Sequence, residues 1–85
     1  MRVDKFLKVS RLIKRRSVAN EACNGTRVQI NGKPAKPAHD VKVGDIIEIL
    51  FGGNWLKVEV LSLNEHAQKA DAAALYKVIE SEENK

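Results

Sequence analysis

Small and apolar residues return at helical spacing from the start of the chain. Val3, Phe6, Leu7, Ser10 and Ile13 form one stripe at a period near 3.6, while Lys5, Lys8, Arg11 and Arg15 fall largely on another face. This pattern predicts a helix over about residues 3–13. Asp4 sits near its N-terminus, where the helix dipole favours an anion. It also precedes Lys8 by four residues, the favourable order for an ion pair on one helix face. A tight corner and a second short helix follow in "KRRSVANEACNG". Ser17 is expected to cap its first turn through the hydroxyl. Ala19, Ala22 and Cys23 are small enough to pack closely on the first helix, and Asn24-Gly25 is expected to supply a left-handed stop.

The period then changes to two. In "RVQINGKPAK", Val28 and Ile30 point inward and Gln29 outward. Asn31-Gly32 is a strong hairpin signal, because a type I′ turn needs positive φ at both positions. Pro34 and Pro37 keep the return arm short and at a sheet edge. A Gly44-Asp45 turn leads into a strand from Ile46 to Phe51, and Gly52-Gly53 turns again. In "WLKVEVL", Trp55, Lys57 and Glu59 share one face and Leu56, Val58 and Val60 the other. The strands predict a small, mostly antiparallel sheet. The Ala-rich "KADAAALYKVIE" reads as a C-terminal helix, and "SEENK" as an acidic, frayed tail. The expected fold is α+β: two short helices packed on the sheet, plus a C-terminal helix. Residues 1–62 are expected to form the functional domain, with residues 63–85 as helix and tail.

With 85 residues the chain is one small domain, too thin to enclose a deep substrate cavity. Charge adds more than size. Residues 1–36 hold ten Lys/Arg against Asp4 and Glu21, a balance of +8, whereas residues 37–85 hold five Lys against nine acids, a balance of −4. From Lys5 to Arg16 six cations occur in twelve residues without an acid. A second basic set, Arg27, Lys33 and Lys36, flanks the hairpin. Such polarity points to a polyanionic partner.

No catalytic constellation can be assembled. His39 and His66 are 27 residues apart with no further ligand at metal spacing, so neither a metal nor a cofactor is expected. Cys23, the single cysteine, excludes an internal disulfide framework and fits a reducing cytoplasm. It reads as a buried, inert thiol. Gly52-Gly53 lacks the downstream Lys-Ser/Thr of a phosphate loop. No signal peptide or bilayer-spanning run is visible.

Among polyanions, a membrane would compete with the core for Val3, Phe6, Leu7 and Ile13. DNA reading would need base-contacting side chains at the start of a recognition helix, where only Asn20 qualifies. Structured RNA, held through shape and phosphates, suits clustered Arg and Lys on two short helices. Arg11, Arg15 and Arg16 carry forked donors and are the expected geometric anchors; Lys5, Lys8 and Lys14 supply field.

The segments "MRVDKFL", "RRSVANEAC", "RVQINGKPAK" and "VKVGDII" resemble the alpha-L RNA-binding motif, or S4 domain, over about residues 1–51. The combination Arg-x-Asp, Arg-x-x-Ala, Val-x-Ile-Asn-Gly-Lys and Val-x-x-Gly-Asp carries the likeness. The resemblance implies RNA lying across the helical face. With no appended enzyme domain, the chain resembles the stand-alone, ribosome-associated quality-control members. For these the resemblance implies binding to rRNA and tRNA on large subunits obstructed by peptidyl-tRNA, and the chain is expected to be a monomer. There it would support a partner factor that adds a C-terminal alanine tail to the stalled chain. A heat-shock-type large-subunit recycling factor and an RNA-targeting subunit for a separate modifying enzyme are the alternatives. Mapped residue by residue, Arg2 and Arg16 match the family's motif arginines, Asp4 its acid, and Asn31, Gly32 and Lys33 its hairpin. The full expected RNA-binding set is Arg2, Lys5, Lys8, Arg11, Lys14, Arg15, Arg16, Arg27 and Lys33. Asp4 is expected to be structural, capping the helix or orienting a cation, since an anion facing phosphate opposes binding. Two positions depart from the family pattern: Arg15 stands where Ser or Thr is common, and Thr26 where Gly is preferred. The first makes an earlier start of the second helix an alternative to the Ser17 cap.

Overall fold

A computed structural model of the protein describes residues 1–81; the tail expected beyond Ser81 lies outside the described residues. Helices α1 (Val3–Val9) and α2 (Arg16–Asn24) precede strands β1 (Val28–Ile30), β2 (Lys33–Pro34), β3 (Ile46–Phe51) and β4 (Asn54–Val60). A 3-10 helix (Lys69–Leu75) then leads into β5 (Tyr76–Ser81). All neighbouring strands are antiparallel, in the order β2-β1-β3-β4-β5.

The two periods place the core where the sequence predicts. Val3, Phe6, Leu7, Ser10 and Ile13 are all buried, as are Val28, Ile30, Ile47, Ile49, Val58 and Val60 from the sheet. Ala19 and Cys23 bring α2 against α1 within the same cluster. Burial of each large aliphatic or Phe side chain contributes about 2 kcal/mol. The other sheet face carries a polar row, Gln29–Glu48–Lys57–Glu80, in cross-strand register.

The first helix is shorter than its apolar stripe. The Ser10 hydroxyl donates to the Leu7 carbonyl at 3.2 Å, and Arg11 takes φ +62°, so the helix stops at Val9. Ile13 reaches the core from the following loop, its N–H bonded to the Leu7 carbonyl at 3.1 Å.

Helix α2 begins at Arg16 with Arg15 extended before it and no side-chain cap, so Ser17 lies inside the first turn and is not the cap. The family departure at Arg15 already placed that cap in doubt. Its end also differs from expectation. Gly25 has φ −87°, and the left-handed residue is Thr26 at +59°. The Arg27 N–H reaches back to the Ala22 carbonyl at 2.8 Å, closing a Schellman-type end.

The Asn31-Gly32 turn has φ of +52° and +83°, as a type I′ hairpin requires. The Asn31 side chain accepts the Ile46 N–H at 3.0 Å and donates to Asp45 at 3.2 Å, tying the hairpin to the Gly44-Asp45 turn. Pro34 sits on the edge strand.

The C-terminal helix is corrected. Its Ala-rich part forms only the 3-10 helix, and Tyr76–Ser81 is a strand. β4 leaves an open edge whose N–H and C=O groups need partners, and Tyr76, Val78 and Ile79 favour extended backbone. Tertiary pairing therefore overrides the alanines' local preference. Leu75 enters the core, while Val78 and Ile79 remain exposed, and the ladder shifts register between Lys57 and Val58.

The chain start is stitched to residues 37–41. The Val3 N–H bonds the His39 carbonyl and the Val41 N–H bonds the Met1 carbonyl, each at 2.8 Å. The terminal amine donates to Asp40 at 2.9 Å and holds that carboxyl below its ordinary value.

Candidate nucleic-acid interface

Helix α1 turns Phe6 and Leu7 into the core, which leaves Asp4 facing α2. Asp4 is 2% exposed. Arg2 donates to it through two nitrogens, Nε to Oδ1 and Nη2 to Oδ2, each at 3.2 Å. Arg16 Nη2 donates to Oδ1 at 3.4 Å, and Asn20 Nδ2 to Oδ2 at 3.5 Å. The Lys5 N–H completes the set at 2.8 Å, satisfying one of the first-turn amides that a helix leaves open. Burial pushes the Asp4 carboxyl up, but the donors from Arg2, Arg16 and Asn20, with the charge of Arg16, outweigh it and hold the pKa below the ordinary value.

Asp4 therefore pairs with Arg2 and Arg16, not with Lys8 as its spacing in the sequence suggests. The two arginines remain half-exposed, at 50% and 47%, with N–H groups left for an outside acceptor. An open depression of about 510 Å³ lies over them, bordered by Asn20 and Ser17. A forked cation fixed by a buried carboxylate can receive a phosphate without first losing its own rotamer freedom.

A second concavity of about 440 Å³ runs past the end of α1. Lys8, Arg11 and Lys14 line it with Val9, Glu65, Ala67 and Lys69. Lys5 pairs with Glu65 at 3.4 Å, on the same side of the helix. No described acid pairs with Lys8, Arg11, Lys14 or Arg15. Arg15 is exposed ahead of α2.

The structure thus gathers Arg2 and Arg16 at one depression and Lys8, Arg11 and Lys14 at another, both against α1. Arg27 and Lys33 stand apart. Arg27 borders a more apolar groove with Val18, Leu50 and Phe51, and Lys33 lies on the edge strand. Two roles escaped the sequence reading. Asn20 buttresses Asp4 from one turn along α2, and its position four residues after Arg16 was the available signal. Lys69 comes from a segment read as helix, and only the three-dimensional path brings it near Arg11.

Cys23 is buried, and its thiol is pushed up to about 11, first by burial and then by the negative charge of Asp4. Among the described residues no group of three His, Cys, Asp or Glu side chains could hold a metal ion, and no helix is long and apolar enough to cross a membrane.

An α+β scaffold with a carboxylate-clamped arginine pair on its first two helices defines the class: the S4 domain family matches residues 1–47, more than half of the chain, and the chain belongs to it. Across nearly its full length the chain is similar to the RQC P-site tRNA stabilizing factor of Streptococcus pneumoniae, with 49% identity over 79 residues, 93% of this chain and 90% of that protein. The protein of the same name from Bacillus subtilis is 46% identical over 82 residues, covering 96% and 95%. Among solved structures, Vibrio cholerae heat shock protein 15, described as trimeric, matches with a TM-score of 0.84 and 29% identity over 92% of this chain and 80% of that one.

Proposed function

We propose that the protein is a non-enzymatic RNA-binding factor of bacterial ribosome-associated quality control. It binds rRNA and tRNA on large subunits obstructed by peptidyl-tRNA and steadies the tRNA. A partner factor meanwhile adds an alanine tail to the stalled chain. The observation that carries the RNA reading is the Asp4 clamp. A buried carboxylate holds Arg2 and Arg16 side by side at the surface, so that their remaining N–H groups are oriented for an external anion before it arrives. The likeness to the P-site tRNA stabilizing factors of Streptococcus pneumoniae and Bacillus subtilis directs this reading to tRNA.

Within it, residues 1–62 supply the RNA contacts of Arg2, Arg16, Lys8, Arg11, Lys14 and Arg15, with Lys5, Arg27 and Lys33 adding field. The chain works in the cytoplasm as a monomer. Mass measured by light scattering checks the last point, because the Vibrio cholerae neighbour is described as trimeric.

Arg16→Ala tests the core of the proposal. It should weaken co-sedimentation with large subunits about tenfold, the scale of one lost charge-assisted phosphate contact, while melting only a few degrees lower, because Arg2, Asn20 and the Lys5 N–H still hold Asp4. Wild-type sedimentation of that variant would remove the reading. With about five phosphates neutralised, log affinity should fall against log salt with a slope near −4.

A second reading, a heat-shock-type recycling factor of the large subunit, is favoured by the Vibrio cholerae fold match. The two separate in a reconstituted stalled-subunit assay: alanine tailing depends on the chain only in the first.

A further inference from the structure

The backbone at Arg11 is one of three places among the described residues where a residue other than glycine adopts positive φ. The other two, Thr26 and Asn31, have local reasons: Thr26 closes α2, and Asn31 makes the hairpin. Arg11 closes α1 in the same way, its N–H bonded to the Lys8 carbonyl at 3.1 Å, although at +62° its Cβ is crowded and glycine is the easier residue. What the conformation does is end α1 at Val9 and leave Arg11 in the concavity beside Lys8 and Lys14. Lys69 joins them from the start of the 3-10 helix, well beyond the portion matched by the S4 family. Four cations thus converge over a floor of Val9 and Ala67, and no described acid pairs with any of them. Glu65 is the single carboxylate in the lining, and it is drawn to Lys5.

We infer that this concavity is a second phosphate cradle for structured RNA, separate from the Arg2/Arg16 clamp, in which the left-handed backbone at Arg11 and Lys69 from the C-terminal segment complete the site. It rests on the RNA-binding reading and deepens it. Four convergent ammonium and guanidinium groups repel one another in the free protein, and a phosphodiester group relieves the repulsion. At about 440 Å³ the concavity has room for a backbone phosphate of a folded RNA. The C-terminal segment then has two tasks: it closes the sheet, and it brings one cation across to the end of α1.

Binding of purified bacterial large subunits is measured for the full chain across a salt series. Three variants have expected signs. Lys69→Gln weakens binding roughly five- to tenfold at 0.1 M salt and makes the salt slope shallower by about 1, because one fewer counterion is released. Glu65→Gln tightens binding, since it removes the carboxylate from the lining. Arg11→Gly weakens binding while melting a few degrees higher, because glycine relieves the backbone. That opposition of stability and affinity is what a merely structural role for Arg11 does not produce. Lys69→Gln or Arg11→Gly binding like wild type overturns the cradle, as does weaker binding by Glu65→Gln. If Arg11→Gly melts lower instead, Lys69→Gln decides alone. Arg16→Ala, run in parallel, separates the two levels: its loss with wild-type cradle variants ends only the cradle, and its wild-type binding ends the RNA reading beneath it.

Discussion

The two cationic regions on α1 are built in opposite ways. At one, Arg2 and Arg16 are tied to a buried carboxylate that accepts five hydrogen bonds in all. At the other, Lys8, Arg11 and Lys14 stand without an acid partner among the described residues. The first holds its guanidinium groups in place before an RNA arrives. The second offers charge, with position fixed by backbone alone. Fixed cations lose less side-chain freedom on binding than loose ones, so the clamp should set register and the looser group should set attraction at a distance.

Removing the support common to both tests the comparison most severely. Phe6→Ala should cost about 3–5 kcal/mol, since Phe6 is fully buried beneath α1. Both regions should be lost together, as seen by denaturant unfolding and subunit binding. Asp4→Ala should strike only the clamp. It leaves the Lys5 N–H without its acceptor and two guanidinium groups without a counterion, at about 2 kcal/mol because the half-exposed arginines rehydrate. Subunit affinity should fall with it, while the salt dependence contributed by Lys8 persists. A sharp separation of this kind is the expected result; equal loss in both regions would show that they act as one.

Acid sharpens the same distinction. The Asp4 pKa is depressed in the fold, so its contribution is complete above the ordinary carboxylate value near 4 and is lost as pH falls below it. Stability against urea should therefore decline below about pH 4 in the wild type and decline less in Asp4→Asn. Smaller still is the effect expected at Cys23 under the clamp. Its raised pKa and burial should keep the folded chain unlabelled by a thiol reagent at pH 8, where unfolded chain reacts.

Much of this was legible before any coordinates. The spacing of Val3, Phe6, Leu7 and Ile13 identified the buried side of the first helical segment, and the period of two turned Val28 and Ile30 inward and set Val58 and Val60 on a shared face, all four buried in the structure. Asn31-Gly32 could form little but a tight hairpin. The departures from the local pattern share a cause, which is that distant partners outweigh local preference. Asp4 has Lys8 at the favoured spacing, yet an arginine twelve residues away and one at the helix entrance win it. The alanines of 72–74 favour helix, yet the open edge of β4 recruits the chain that follows as strand. Arg11 as a left-handed residue has no sequence signature, because nothing in arginine prefers that conformation.

A five-stranded sheet that does not close keeps two raw margins. Pro34 blunts the one at β2, since it has no N–H to offer a newcomer. The margin at β5 is guarded differently, by the slipped register at Lys57/Val58 and by Lys77 and Glu80 along a strand whose Val78 and Ile79 meet water. Crowded molecules are thereby discouraged at both edges from zipping together strand against strand.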